Sequence, residues 1–115
     1  MSLAVLFEVT PLAGCAPRYF EIAAALRPAL DAIDGFLGVE RFESLARPGT
    51  YLSLSWWRDE DAIRQWRNMA CHRSGQHEGR AQVFAGYRIR VVATLRDYGM
   101  HDRAQAPADA GIALL

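Results

Sequence analysis

The chain has 115 residues, of which 51% are hydrophobic, and its 13 basic and 13 acidic residues balance to a net charge of 0. This length suffices for one domain with its own hydrophobic core. Nucleic acids and anionic membranes attract basic surfaces, so the balanced charge argues against both as partners, and no apolar run approaches the roughly 20 residues that span a bilayer. Cys15 and Cys71 lack the spacing of a disulfide framework or metal site, which favours reduced thiols and a cytoplasmic location.

The first half of the chain predicts a strand, a helix and a hairpin in that order. Residues 3–10 (LAVLFEVT) are apolar and rich in β-formers, which predicts a first strand. A helix should follow from Pro17, because apolar residues recur there every three or four positions. Pro28 should kink that helix or end it near Arg27. Residues 36–57 surround the turn ARPGT and predict a β-hairpin.

The second half predicts one more helix and one long strand. Asp59 is suited to cap the helix, whose far end is weakened by glycines. Residues 83–98 (VFAGYRIRVVATLRDY) then predict the last strand, with Gly86 at a bulge. We expect a domain over residues 1–98 and a C-terminal tail over 99–115, which has no clear period.

The order β-α-β-β-α-β predicts a ferredoxin-like α+β fold, an antiparallel sheet with its helices on one face. The opposite face should be polar if water covers it, yet in the last strand Val92 shares a face with Arg88 and Arg90, so neither face is simply polar. We therefore expect a second sheet to cover it, supplied by a homodimer. The two arginines then need carboxylate partners, for which Glu8, Glu40 and Glu43 are candidates.

A strand ending in Trp57, the segment RDEDAIRQW with Trp66 on the following helix, and a histidine about three turns later resemble the antibiotic biosynthesis monooxygenase (ABM) family. The resemblance spans about residues 3–98 and implies a dimeric α+β barrel. The family includes cofactor-independent monooxygenases of polyketide phenols and anthrones, quinol oxygenases, haem-degrading enzymes and members without known activity.

The resemblance therefore implies oxidation, without a bound cofactor, of a small, mostly apolar, phenolic or quinol-type molecule. Two alternatives stay open. One is a haem-binding or haem-degrading protein, and the other is a non-catalytic small-molecule-binding or structural dimer. No cluster of His, Asp or Glu has metal-ligand spacing, so we expect no metal site.

The helix after Trp57 carries the candidate catalytic residues Trp66, His72 and His77. On one continuous helix, the eleven-residue spacing puts His77 on the same face as Trp66 and rotates His72 well away. Histidine has a near-neutral pKa and can act as a general base. Under the haem alternative, the resemblance implies that Trp66 contacts the haem and His77 ligates its iron. The haem-degrading branch also uses an asparagine on the first strand, where this chain has Phe7, which cannot donate a hydrogen bond.

We expect a substrate pocket that combines apolar side chains with polar groups at its rim. Its predicted residues are Phe7, Ile63, Trp66, Met69, Arg73 and Gln76. The competing interpretation is a packed helix, with Trp66 in the core and the polar residues at a solvated helix end.

Overall fold

The structure is a computed structural model that describes residues 2–110, with side chains described at all of these positions except 70, 71, 75, 76, 80 and 81. Its strands are β1 (Leu3–Pro11), β2 (Phe36–Glu43), β3 (Tyr51–Trp57) and β4 (Phe84–Ala93). Its helices are α1 (Ala16–Asp31), α2 (Glu60–Arg67) and α3 (Ala70–Glu78), and a π-helical turn at Gly79–Val83 precedes β4.

The four strands form one antiparallel sheet in the order β2-β3-β1-β4, and the cavity-forming helices lie on one face of it. The predicted ferredoxin-like α+β fold is confirmed. The hairpin of β2 and β3 is confirmed too, as is the bulge near Gly86: the register of β1 and β4 shifts where Thr10 lies opposite Gly86 and Pro11 opposite Phe84. The last strand is shorter than predicted, since it ends at Ala93.

The first helix continues through Pro28 to Asp31, so of the two alternatives predicted at Pro28 the end near Arg27 is wrong, and the kink stays a prediction. Proline removes one backbone hydrogen bond, but the apolar face of the helix is anchored on both sides of it. Tyr19 and Leu30 are the buried residues of the helix, and Leu30 packs in a core cluster with Ile33 and Trp57. Tertiary packing thus carries the helix past its proline.

The second predicted helix begins as expected, because the Asp59 carboxylate accepts a hydrogen bond from the Ala62 amide at 2.9 Å. It does not continue as one helix. Asn68 ends α2, with its amide bonded to the Arg64 carbonyl, and α3 begins two residues later. The Arg73 guanidinium donates to the Asn68 side-chain oxygen and joins the two segments across the break. The prediction of one continuous helix from Trp66 to His77 is therefore wrong.

Alternation along the strands divides the sheet into a helix-covered face and an open face. On the helix-covered face, Phe7 lies between Ser53 of β3 and Ile89 of β4. On the other face, Leu6 lies between Leu54 and Arg90. We call this other side the open face, and its residues are Ala4, Leu6, Glu8, Glu40, Phe42, Leu52, Leu54, Trp56, Arg88, Arg90 and Val92.

The carboxylate of Glu8 interacts with arginine side chains at the open face. Arg47 donates a hydrogen bond to its carboxylate, and Arg90 approaches it with an N–O distance of 3.6 Å. The pKa of Glu8 lies below its ordinary value, chiefly because of the Arg47 hydrogen bond, with Arg90 and Arg88 adding smaller contributions. Glu8 is thus a partner of Arg90, as predicted, but the pair is only partly buried within one chain.

Residues 94–110 contain turns but no helix or strand, and the division predicted at residue 98 stays a prediction. Within the described part of the chain, no helix is long and apolar enough to cross a membrane.

Candidate functional site

A cavity of about 230 Å³ lies between the helices and the helix-covered face of the sheet. The sheet contributes Val5, Phe7, Ser53, Ser55, Ile89 and Val91 to its lining. The helices and the residues flanking them contribute mostly apolar side chains, among them Tyr19, Ile22, Leu26, Ile63 and Trp66. A cavity of this lining suits a small, largely apolar ligand with a few polar contacts.

Two core clusters flank the cavity. One contains Leu30, Trp57 and Ile63, with Trp66 packed against it. The other contains Tyr19 and residues of β1 and the π-helical turn, with Phe7 and Phe84 packed against it. The cavity therefore has a Trp66 end and a Tyr19 end, and each is held by a separate group of buried side chains.

At the Trp66 end, the indole meets the imidazole of His72. The two ring centroids are 4.5 Å apart, and the rings are inclined by 83°, an edge-to-face arrangement. The break after α2 produces this contact, because it removes the rotation that would separate these residues on one helix. His72 also lines the cavity.

The imidazole of His72 is desolvated. Its Nδ1 atom is buried and has no hydrogen-bond partner among the residues that the structure describes. Burial disfavours the charged form and lowers the pKa of His72 from 6.5 to about 4. His72 is therefore neutral at physiological pH.

At the Tyr19 end, polar groups come from β2 and β3. Arg41 lies opposite Ser53 in the register, and both line the cavity. The Arg41 Nε donates to the Tyr19 hydroxyl at 3.2 Å, and the guanidinium carbon stands 5.6 Å from the Tyr19 ring centroid. Ser55 belongs instead to the Trp66 end, since it lies between Val5 and Val39, and its hydroxyl accepts a hydrogen bond from the Trp57 indole at 2.8 Å.

The structure brings Phe7, Ile63, Trp66 and His72 together at the cavity. Met69 instead packs against the first core cluster, and Arg73 is exposed and bonded to Asn68. His77 is exposed and does not line the cavity. Gln76 is also a predicted pocket residue, and its side chain lies outside the part of the chain that the structure describes. The phase argument for His77 fails because the helix ends between it and Trp66.

The polar residues Arg41, Ser53 and Ser55 were not among the predicted site residues. Their signal was present in the segment YLSLSWW, where serines occupy one face of a strand. The alternation of residues along the strand does not say which face of the sheet the helices cover. These serines could therefore equally well face solvent.

A haem held by His77 does not fit this geometry. The imidazole that would ligate the iron is at the surface, while Trp66 faces the cavity. The described side chains contain no group of three or more His, Cys, Asp or Glu residues arranged to hold a metal ion.

Comparison with known proteins agrees with this architecture. The family model described as Antibiotic biosynthesis monooxygenase matches residues 2–78, more than half of the chain. The chain belongs to this family. The predicted family resemblance is thereby confirmed.

Two relatives of this ABM chain differ in how much is known of them. Jasmonate monooxygenase ABM of Pyricularia oryzae is 47% identical over 88 residues, which are 76% of this chain and 41% of that protein. The uncharacterized protein YqjZ of Bacillus subtilis is 35% identical over 57 residues, which are 50% of this chain and 48% of that protein. The matched region thus spans less than half the length of either relative.

Solved structures share the fold of this ABM chain at low identity. Rv0793 from Mycobacterium tuberculosis superposes with a TM-score of 0.75 at 16% identity, covering 86% of this chain and 100% of that one. A mutant of SnoaB, a cofactor-independent oxygenase from Streptomyces nogalater, has a TM-score of 0.72 at 14% identity, covering 84% and 95%. At these identities the likeness establishes the fold alone.

Proposed function

We propose that this ABM-family chain is a monooxygenase that oxidises a small, mostly apolar molecule in the cavity with dioxygen, without a bound metal or flavin. The observation that carries the proposal is His72, a neutral imidazole beside Trp66 in an apolar cavity, whose buried Nδ1 has no hydrogen-bond partner among the described residues. Such a group can accept a proton from a substrate bound in the cavity.

The reaction needs a substrate with an acidic C–H or O–H bond and enough electron density to reduce oxygen. His72 takes the proton and leaves a substrate anion, which gives one electron to dioxygen. The substrate radical and superoxide then combine into a peroxide at carbon. His72 returns its proton, and loss of water leaves a carbonyl. The sum converts one CH2 group and O2 into one C=O group and H2O, so no external reductant is needed.

The low pKa of His72 in the empty cavity fits this role in one respect and opposes it in another. Because the pKa is about 4, the imidazole is in its basic form throughout the neutral range. A base with so low a pKa, however, has a low affinity for the substrate proton. The substrate anion formed beside it resolves this opposition, because a neighbouring negative charge stabilises the imidazolium and raises its pKa during the reaction.

The cavity lining and the name of the fungal relative support the choice of compounds to assay. The cavity is lined mainly by apolar and aromatic side chains. Jasmonate, which the name of the Pyricularia oryzae relative gives as its substrate, is therefore the first compound to assay, together with an anthrone and a quinol.

The test measures oxygen uptake with this panel for the parent chain and for His72→Ala and His77→Ala. We expect uptake by the parent and by His77→Ala, because His77 is outside the cavity, and a loss of about 100-fold or more in His72→Ala. With ¹⁸O₂, one labelled atom should enter the product. Ligand binding without oxygen uptake by any of the three proteins would favour the non-catalytic binder, and equal activity of His72→Ala would remove His72 as the base.

We also propose that the chain acts as a homodimer that pairs through its open face. Phe42 and Trp56 on that face remain 44% and 39% exposed, which is a large apolar exposure for a sheet surface. A second copy would cover them and the ion pairs of Glu8 together.

A further inference from the structure

We propose that the cavity selects substrates that carry a carboxylate, which binds to Arg41, Tyr19 and Ser53 at the Tyr19 end. The proposal deepens the proposed function, because the bound carboxylate would orient the rest of the molecule toward His72. It concerns binding, however, and can be tested without turnover.

Arg41 has no carboxylate partner within the described part of the chain. Arg67, Arg73, Arg88, Arg96 and Arg103 also have none among the described residues, but of these only Arg67 lines the cavity together with Arg41. Carboxylate partners are found within 4 Å for Arg18, Arg27, Arg47, Arg58, Arg64 and Arg90. Because Arg41 is exposed, water solvates its guanidinium when no ligand is bound, and a carboxylate in the cavity would replace that water with charge-assisted hydrogen bonds.

The donors around Arg41 suit a carboxylate. The Arg41 Nε donates a hydrogen bond to the Tyr19 hydroxyl. This bond and the position of the guanidinium over the Tyr19 ring orient the guanidinium. The two terminal nitrogens keep their donors, which can form paired hydrogen bonds to a carboxylate. Since the Tyr19 oxygen accepts from Arg41, its own proton is available to the ligand.

Ser53 completes the group. It is the register partner of Arg41 on the adjacent strand, and both residues line the cavity. Ser55 two residues on is already bonded to the Trp57 indole, whereas the Ser53 hydroxyl forms no hydrogen bond with any residue that the structure describes. Three kinds of donor therefore converge at one end of an otherwise apolar cavity.

Arg67 also lines the cavity, but its position has another explanation. It lies in the last turn of α2, where the exposed carbonyls favour a cation. We therefore assign the carboxylate to Arg41, and a test must separate the two arginines.

The experiment measures binding of 4-phenylbutanoate and of its neutral analogue 4-phenylbutanamide by calorimetry, for the parent chain and for Arg41→Gln. We expect the parent to bind the carboxylate at least about tenfold more tightly than the amide, because charge-assisted hydrogen bonds are involved. In Arg41→Gln the two ligands should bind equally. Arg41→Lys keeps the charge and should retain part of the preference, and thermal melting establishes that each variant is folded.

Arg64→Gln and Arg67→Gln are the matched controls, because each removes one guanidinium of α2. Both should keep the preference of the parent for the carboxylate. Equal binding of the two ligands by the parent, binding of neither, or loss of the preference in Arg67→Gln instead of Arg41→Gln would overturn the assignment. Anion-selective binding without oxygen uptake would support it while contradicting the proposed oxygenase activity.

Discussion

Burial of the His72 imidazole links the stability of the fold to pH. Its pKa is lowered to about 4 in the folded chain, so between pH 6.5 and 4 the unfolded chain binds the proton and the folded chain does not. Stability should therefore fall as the pH drops through this range, and change little from this cause above it. We expect a contribution of about 1–2 kcal/mol, less than full linkage because the side chain keeps partial contact with solvent.

The measurement is the melting temperature between pH 4 and 7 for the parent, His72→Gln and His77→Gln. The parent and His77→Gln should lose stability toward acid, whereas His72→Gln should lose less, because it has no imidazole to desolvate. Identical pH dependence in the parent and His72→Gln would mean that His72 is solvated in both states.

Trp66 is the residue whose truncation should separate ligand binding from folding. Its indole packs against the first core cluster and against His72, and it also lines the cavity. Trp66→Phe keeps an aromatic ring but leaves space beside the imidazole, so we expect a loss of about 1–2 kcal/mol in stability. Binding of an apolar ligand should weaken by about tenfold. Trp56→Phe, on the open face, is the control and should leave ligand binding unchanged; the same loss of binding in both variants would contradict this role.

At the level of single residues, the sequence predicts the apolar part of the site better than the polar part. Phe7, Ile63 and Trp66 follow from hydrophobic spacing, because burial requires them to face inward whatever the exact geometry. Arg41 and Ser53 depend on which face of the sheet the helices cover, and that is a tertiary fact. No local pattern distinguishes a serine facing a cavity from one facing water.

At the level of elements, the break between α2 and α3 decides which histidine meets Trp66. The signal was Asn68, a residue type that favours helix ends, but neither glycine nor proline marks the position. The strands were easier to predict, because β-branched and aromatic residues alternate along them and turn residues separate them. A helix of regular spacing can be interrupted with little change in its composition.

The π-helical turn before β4 provides an element-scale prediction. A Cβ atom on Gly79 would stand 2.5 Å from Cε2 of Phe84, a ring that lines the cavity. Gly79→Ala should therefore displace the ring, lower stability by about 1–3 kcal/mol and weaken ligand binding. Gly86→Ala is the matched control, since a Cβ there meets nothing within 4 Å. Melting temperature and calorimetric binding check both, and a Gly79→Ala variant that matches Gly86→Ala would contradict the packing of Phe84 on this turn.

At the level of the whole molecule, the open face determines the assembly. Leu54 lies near its centre, between Leu6 on β1 and Glu40 on β2. If two copies pair through this face, Leu54→Glu buries an unpaired carboxylate in the interface, which costs several kcal/mol and should release monomers. Gln65→Glu adds the same charge at an exposed position of α2 and should leave the assembly intact.

Light scattering coupled to size exclusion at micromolar concentration should give about twice the 12.8 kDa chain mass for the parent and Gln65→Glu, and about the chain mass for Leu54→Glu. A monomeric parent would mean that the open face is covered in some other way, and the proposal of a homodimer would then fail.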